Sequence, residues 1–586
     1  MEIGGSNPSL VGPYPGLASG SGNAGNAGNA PGSVGQILPS VYTYATLPAA
    51  STVPPGTQAY TSDYGLFLSD GTNWRVVGQL PVGNRTTPSI AVHAGDSIVA
   101  GGTYGTTANA SSVYGQNNSI YVTTVADINL WVGATVFCGG AVIGAPGNNN
   151  VSDDRFNGTF TIAQRVSSNS FVLTSPTNFG SSPVNASYST YYLGNDTAMT
   201  ARNFLAMANV YAGGVLDQIY CRGVSGCQTS YMLSRFAQDV LSLKPSLVFL
   251  GSFRNDTPGV VQSFANITAM CQMALAAGAI VILHTSTPYD SGAAGYSAAT
   301  LDYYLQVNNQ IRQYAASKPG VILFDLYALL TDTTTATGNY LANTCVPDKV
   351  HPSDYGVGQS VNNTSRTFSD LTTIIKNLYG QRKKIRATCQ RDDVTVSSAS
   401  YQLVNNPLLQ GSGGTVTAGG AVGTAPTGWT LVGTGTVVAT CSVPARADGM
   451  GNYIKCVFGA SNTGSLVVVS QNNPVAQLPA GTKFRFGALI TTTGQNLNNN
   501  HVELDLNIQD VSGATWTVGC LQPSGGSLFT GQDCTDGVYL SPIITVPPAG
   551  FLNVQFNTYL SIINAGALTV QISNIFIEII QPASLV

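Results

Sequence analysis

Four histidines supply the side chains able to act as a base near neutral pH: His93, His284, His351 and His501. His351 stands in Asp348-Lys349-Val350-His351-Pro352, with an acid three residues before it. Such an acid can hold one ring nitrogen and leave the other free to take a hydroxyl proton. Ser97, in Gly95-Asp96-Ser97-Ile98, offers that hydroxyl. A serine is a nucleophile only if a base reaches it. The expected set is therefore Ser97 as nucleophile, His351 as base and Asp348 as the acid that orients it. Glutamate occurs only at Glu2, Glu503 and Glu578. Acid–base chemistry between residues 85 and 380 thus falls to Asp and His, which disfavours a glycosidase built on a Glu pair and leaves one built on two Asp open. No Gly-x-Ser-x-Gly elbow occurs, which argues against an ordinary α/β-hydrolase.

These residues need a scaffold that brings distant stretches together. Ile90 to His93 reads as a short apolar strand, and Gly95 supplies a turn where the backbone could need an unusual φ. Ser97 then lies just past a strand end, where open α/β sheets build their sites. Further apolar runs at Ser246–Leu250, Ala279–His284 and Val321–Phe324 have the length of buried strands, with a weaker one at Ile219–Cys221. Amphipathic stretches at 201–211, 231–243, 260–277 and 301–316 alternate with them. That alternation implies a parallel sheet with right-handed crossovers.

Gly95-Asp96-Ser97-Ile98 resembles the first block of the GDSL/SGNH hydrolases, and Asp348-x-x-His351-Pro352 resembles the last. Gly223-Val224-Ser225-Gly226 resembles the second block, which supplies a glycine amide. Gly251-Ser252-Phe253-Arg254-Asn255-Asp256 resembles the third, usually Gly-x-Asn-Asp, although Phe253 stands where that glycine is expected. The four blocks occur in family order over residues 85 to 380. The resemblance implies a flavodoxin-like three-layer α/β fold. It also implies an oxyanion hole made of the Ser97 amide, the Gly226 amide and the Asn255 side chain, with no cofactor. Arg254 reads as half of a surface ion pair, with a contact to an acidic sugar as the alternative, and His93 and His284 read as structural.

The whole chain has 586 residues, enough for several domains. Hydrophobic residues make up 43%. Charged residues make up only 9%, against about 25% in a typical domain. With 66 glycines and frequent Ser, Thr and Asn, this is the look of a β-rich, externally exposed protein. A net charge of −4 gives no reason to expect nucleic acid. The single basic run, Arg382 to Arg386, reads as a helix end or linker. Ten cysteines contain no Cys-x-x-Cys and no zinc spacing, so no metal site is expected. Cys221 could pair with Cys227 and Cys520 with Cys534, or all could be free thiols. The start lacks the pattern of a signal peptide, and no apolar stretch is long enough to insert in a membrane.

The expected organisation is multidomain. Residues 1–40 are a flexible Gly/Asn/Ala-rich segment, and 41–82 a small β unit. Residues 83–386 hold the hydrolase domain, with a β insertion over about 117–195 that could wall the site and select substrate, or serve as a trimer contact or spacer. Residues 397–586 form a β-sandwich of jelly-roll type, for glycan binding or trimerisation, in which Trp429 and Trp516 could stack on sugars or lie in the core. The wording Tyr44-Ala45-Thr46-Leu47-Pro48, followed by Leu68-Ser69-Asp70-Gly71-Thr72-Asn73-Trp74-Arg75, resembles a module near the start of bacteriophage tail proteins.

With the hydrolase blocks, that context implies a serine esterase removing O-acetyl or other acyl groups from a bacterial surface polysaccharide. Capsule, exopolysaccharide and lipopolysaccharide all fit. The expected setting is a homotrimeric tail fibre or tailspike, made in a host cytoplasm and carried on the virion beside other tail proteins. The competing readings are a non-catalytic receptor-binding fibre with a retained hydrolase fold, and a secreted bacterial carbohydrate esterase. A glycosidase or lyase is a weaker rival.

Overall fold

The computed structural model describes residues 48–379 and 404–581, apart from short stretches such as 81–88, 102–107, 145–150, 363–369 and 521–532. The repetitive segment 1–40 and the basic run 382–386 lie outside the described residues. Gln58–Thr61, Gly65–Ser69 and Trp74–Gln79 form a three-stranded antiparallel sheet ahead of residue 90.

The sheet that matters for chemistry has five parallel strands: β1 (Ile90–Gly95), β2 (Gln218–Gly223), β3 (Leu247–Leu250), β4 (Ile280–His284) and β5 (Val321–Phe324), in the order β2-β1-β3-β4-β5. Among the described residues eight α-helices accompany it: α1 (Ser97–Ala100), α2 (Phe204–Ala212), α3 (Thr229–Asp239), α4 (Val260–Ala276), α5 (Ala298–Ser317), α6 (Leu326–Leu330), α7 (Asp354–Val361) and α8 (Leu371–Tyr379). Strand residues alternate between two apolar clusters. Ala91, Leu247, Phe249, Ile280 and Ile282 pack with α2, α7 and α8. Val92, Ala94, Val248, Leu250, Val281 and Leu283 pack with α3, α4 and α5. Both faces of the strands are thus apolar, and the period-2 split places helices on each. The chain leaves β1 for β2 on one side and returns to β3 on the other. That reversal opens a crevice beyond the carboxyl end of β1, where Ser97 follows.

Between β1 and β2 the chain builds an antiparallel sheet of seven strands, and Ser119–Thr124 pairs back onto Ala108–Gln116. The sheet therefore closes on itself as a small barrel filled by Val113, Ile120, Val136, Phe160, Phe171 and Leu193. This corrects the expected start near residue 117. Ala108–Gln116 belongs to the barrel and is needed for closure. Its sequence, Ala-Asn-Ala-Ser-Ser-Val-Tyr-Gly-Gln, carries too few large apolar side chains to read as a strand.

The barrel is fixed to the α/β sheet by buried charge. Arg222, fully buried at the end of β2, pairs with Asp196 at 2.7 and 2.9 Å, reaches Thr159 of the barrel, and lies 4.7 Å over the Phe137 ring. Arg235 of α3 pairs with Asp239 and donates to the carbonyls of Gly95 and Arg222.

Two further seven-stranded sheets follow residue 404. Their apolar residues, among them Leu431, Leu466, Leu504, Phe484 and Val570, join one cluster. Trp429 belongs to that core: it is 1% exposed and its Nε1 donates to the Asn406 carbonyl. The Trp516 side chain lies outside the described residues. Arg485 meets Asp217 at 3.4 Å and Gln218 accepts from the Ile543 N–H, so this region docks on the loop before β2. Cys221, Cys227 and Cys534 are free thiols. Among the described residues no helix is long and apolar enough to cross a membrane.

Candidate active site

Asp96 follows β1 and caps α1, its Oδ1 accepting from the Ile98 N–H at 3.0 Å. The cap fixes the turn on which Ser97 stands. Three glycines allow the strand ends to close around it. A Cβ on Gly95 would lie 2.3 Å from Val99 and 2.6 Å from the Gly251 carbonyl. One on Gly223 would lie 2.2 Å from the Ala100 nitrogen, and one on Gly251 2.0 Å from the His284 ring. Gly95 is therefore required for close approach; its φ is not among the positive ones, which corrects the expected unusual backbone. Gly226 does take a positive φ of 74° in the turn after β2.

The last block comes to the same place from the other end of the domain. His351 Nε2 lies 2.9 Å from Ser97 Oγ, and His351 Nδ1 lies 2.7 Å from Asp348 Oδ2. Lys349, at φ 58°, turns the backbone back so that Asp348 Oδ1 also accepts from the N–H groups of Val350 and His351, at 2.8 and 3.0 Å. Partial burial pushes the Asp348 carboxyl up, but these N–H donors and the imidazole outweigh it and hold the carboxyl below its usual range. The acid is thus an anion aimed at one ring nitrogen while the other faces the hydroxyl, the arrangement that proton relay requires.

The third block is placed differently from the simple expectation. Asn255 does reach the nucleophile turn, but its Nδ2 donates to Asp96 Oδ2 at 3.2 Å and to the Cys227 carbonyl at 3.1 Å. To face an oxyanion it would exchange one of these partners. Asp256 accepts from the Thr229 N–H at 2.7 Å, tying the third block to the start of α3. Phe253, where glycine was expected, is buried in the core. Arg254 is not half of a surface ion pair. It is 9% exposed, bonded to Thr287 and to the carbonyls of Pro288 and Val350.

His93 and His284 lie beneath the site, fully buried, with ring centroids 5.9 Å apart. Burial holds both imidazoles neutral, lowering His93 well below 6.5 and His284 to about 4. His501 lies on a C-terminal strand, Asn500–Asp510.

A cavity of about 310 Å³ opens beside Ser97 and His351. Its walls include Tyr192 from the barrel, Arg202 and Phe204 from the segment returning to α2, and Val357 of α7. The Tyr192 hydroxyl donates to the Ala100 carbonyl, and Arg202 pairs with Asp354 at 3.2 Å. None of these was singled out in the sequence. Tyr192 stands in a β insertion with no motif around it, and only its place on the strand returning from the barrel brings it to the cavity. Among the described residues no three His, Cys, Asp or Glu side chains gather as a metal site.

Residues 179–357 match the sequence model of the GDSL-like lipase/acylhydrolase family. The match opens inside the barrel, past Ser97, and runs through the second, third and last blocks. Among curated proteins none matches. Similar solved structures include a GDSL-like lipase from Bacteroides thetaiotaomicron, 24% identical over 24% of this chain and 71% of that one, with a TM-score of 0.21. A lipolytic protein of the G-D-S-L family from Desulfitobacterium hafniense is 21% identical over 26% of this chain and 79% of its own, with a TM-score of 0.22. The enzymatically active domain of tailspike protein 4 of bacteriophage CBA120 is 18% identical over 26% of this chain and 20% of that one, with a TM-score of 0.20. On the family match, the chain carries a GDSL-like lipase/acylhydrolase domain.

Proposed function

We propose that the chain is a serine esterase that removes acyl groups, acetyl first among them, from a bacterial surface polysaccharide. The observation that carries the reaction class is the unbroken line from Asp348 through His351 to Ser97, at 2.7 and 2.9 Å. In the first step His351 Nε2 takes the Ser97 proton as Oγ attacks the ester carbonyl. Asp348 accepts from Nδ1–H and stabilises the imidazolium that forms. The N–H groups of Ser97 and Gly226 receive the developing oxyanion, joined by the Asn255 amide once it releases Asp96 or the Cys227 carbonyl, each donor worth about 10²–10³ in rate. His351 then protonates the leaving alcohol, and a water activated by the same nitrogen releases the acid.

The substrate class and the setting rest on context. The tail-protein wording near residues 44–75, the acylhydrolase blocks and the β-rich C-terminal region together fit a homotrimeric phage tail fibre or tailspike. In that setting an esterase trims an acylated capsule, exopolysaccharide or lipopolysaccharide, and the C-terminal sheets serve as a sandwich for trimerisation or glycan binding.

The test compares the purified protein with Ser97→Ala and His351→Ala on aryl acetate, then on acetylated bacterial polysaccharide with released acetate counted. Both variants should lose roughly three orders of magnitude or more in kcat. Equal rates in all three proteins would overturn the esterase reading in favour of a binding fibre. A shortened polymer without released acetate would point to a glycosidase or lyase.

A further inference from the structure

We infer that Arg254 is a positioning residue for His351, joining the loop that carries the base to the turn that carries the nucleophile; this rests on the esterase reading above. Arg254 belongs to neither half of the relay, yet it touches both supports. Its backbone N–H donates to Asp96 Oδ2 at 3.2 Å, the carboxylate that caps the Ser97 turn. Its Nη1 donates to the Val350 carbonyl at 3.2 Å.

That carbonyl is one end of the peptide group whose other end is the His351 N–H. The N–H is held by Asp348 Oδ1 at 3.0 Å. The carbonyl is held by Arg254 and also by the Tyr340 hydroxyl at 2.8 Å. The peptide plane that sets the direction of the His351 side chain is therefore pinned at both ends. Reacting groups tolerate little misplacement: moving them by about 1 Å, even through a change far from the chemistry, can cost about 10² in rate.

The chemistry of the residue supports a directed role over simple filling of space. Arg254 is 9% exposed, and among the described residues no carboxylate pairs with it. Its guanidinium lies 4.6 Å over the Tyr289 ring and 5.8 Å from that of Tyr304, and Nη2 is buried without a hydrogen-bond partner. A cation so placed is costly, and an apolar side chain of similar volume would fill the site at lower cost. The guanidinium adds what an apolar chain lacks: N–H bonds from one rigid group to Thr287, Pro288 and Val350.

The test uses the full chain carrying Arg254→Gln or Arg254→Lys. Each is assayed for kcat and KM on aryl acetate, for the rate at which a fluorophosphonate labels Ser97, and for its thermal midpoint. Arg254→Gln should lose about 10² in kcat and in labelling rate, with KM within about threefold of native. Arg254→Lys should recover part of the loss. A merely structural role would lower the midpoint and leave kcat of the folded protein unchanged, which overturns the inference. A loss carried by KM alone overturns it too, since Arg254 would then contact substrate. Should Arg254→Gln fail to fold, Arg254→Lys decides: a several-fold fall in kcat and labelling rate at constant KM supports the inference, and native kcat refutes it. A native protein whose Ser97 never labels overturns the esterase reading itself, whereas equal labelling of native and Arg254→Gln overturns only this inference.

Discussion

Asp348→Asn exchanges one oxygen for an NH2 group, and the geometry decides which His351 tautomer results. In the native site Oδ1 accepts two main-chain N–H groups, at 2.8 and 3.0 Å, while Oδ2 faces His351 Nδ1 at 2.7 Å. Asn can keep its oxygen on the two N–H groups. Its NH2 then faces Nδ1, which must become an acceptor, so the ring proton moves to Nε2 and points at Ser97. In that tautomer the base cannot accept the Ser97 proton. The flipped amide would restore the tautomer but set its NH2 against two N–H donors. The flip loses two hydrogen bonds at about 0.5–1.5 kcal/mol each, so the unreactive tautomer prevails by roughly 5- to 150-fold. The lost anion also stops stabilising the imidazolium. A hydrogen bond to a charged group is worth about 1.5–3 kcal/mol, and the Asp348 side chain is 47% exposed, so the low end applies, or about tenfold. The product is a fall of about 10²–10³ in kcat, short of the roughly 10⁴ found where the acid is buried. Steady-state kinetics on aryl acetate, with Ser97→Ala as the floor, measure it. An Asp348→Asn protein within tenfold of native, over a dead Ser97→Ala, would refute the relay as drawn.

Three other perturbations probe the supports. Burial lowers the His284 pKa to about 4, against the usual 6.5, and lowers His93 in the same direction. The folded state therefore binds fewer protons than the unfolded one between those values. The stability is fully present above about pH 6.5 and is lost as pH falls through 4. At roughly 1.4 kcal/mol per tenfold in proton affinity, His284 alone accounts for about 3 kcal/mol. Urea unfolding from pH 7.5 to 4.5 should show this slope reduced in His284→Asn, and an unchanged slope would refute it. Asp196→Asn leaves the fully buried Arg222 without its anion and should cost about 3–5 kcal/mol; a loss below about 1 kcal/mol in the same measurement would show that the barrel is not held by this pair. Gly223→Ala drives a Cβ to 2.2 Å from the Ala100 nitrogen and 2.7 Å from the Asp96 carbonyl, both in the nucleophile turn. It should lower kcat by about 10², and native kcat would mean that the turn yields without moving Ser97.

The parts of this site that could be read from the chain are those whose chemistry is local. Asp348 and His351 share one turn, so the spacing of acid and base in sequence is nearly their spacing in space. Ser97 follows a short apolar strand and a glycine, a pattern that fixes its place at a strand end whatever the rest of the fold does. The strands that carry it are buried on both faces, and their unbroken apolar runs announced them. What escaped was non-local. Ala108–Gln116 has little apolar pattern because its order comes from pairing on both sides with strands far along the chain. A barrel that closes leaves no sign of closure in any one strand. Arg254 looked like a surface charge because most arginines are. Its burial depends on Tyr289, Tyr304 and the Val350 carbonyl, which arrive from three other segments. The same holds for Asn255: its motif placed it at the right turn, but Asp96 and Cys227 decide where its two N–H bonds point. Sequence spacing thus locates reactive groups that are held by their own loop. The supports that aim those groups are set by the packing of distant segments, and they become legible only when the strand ends meet.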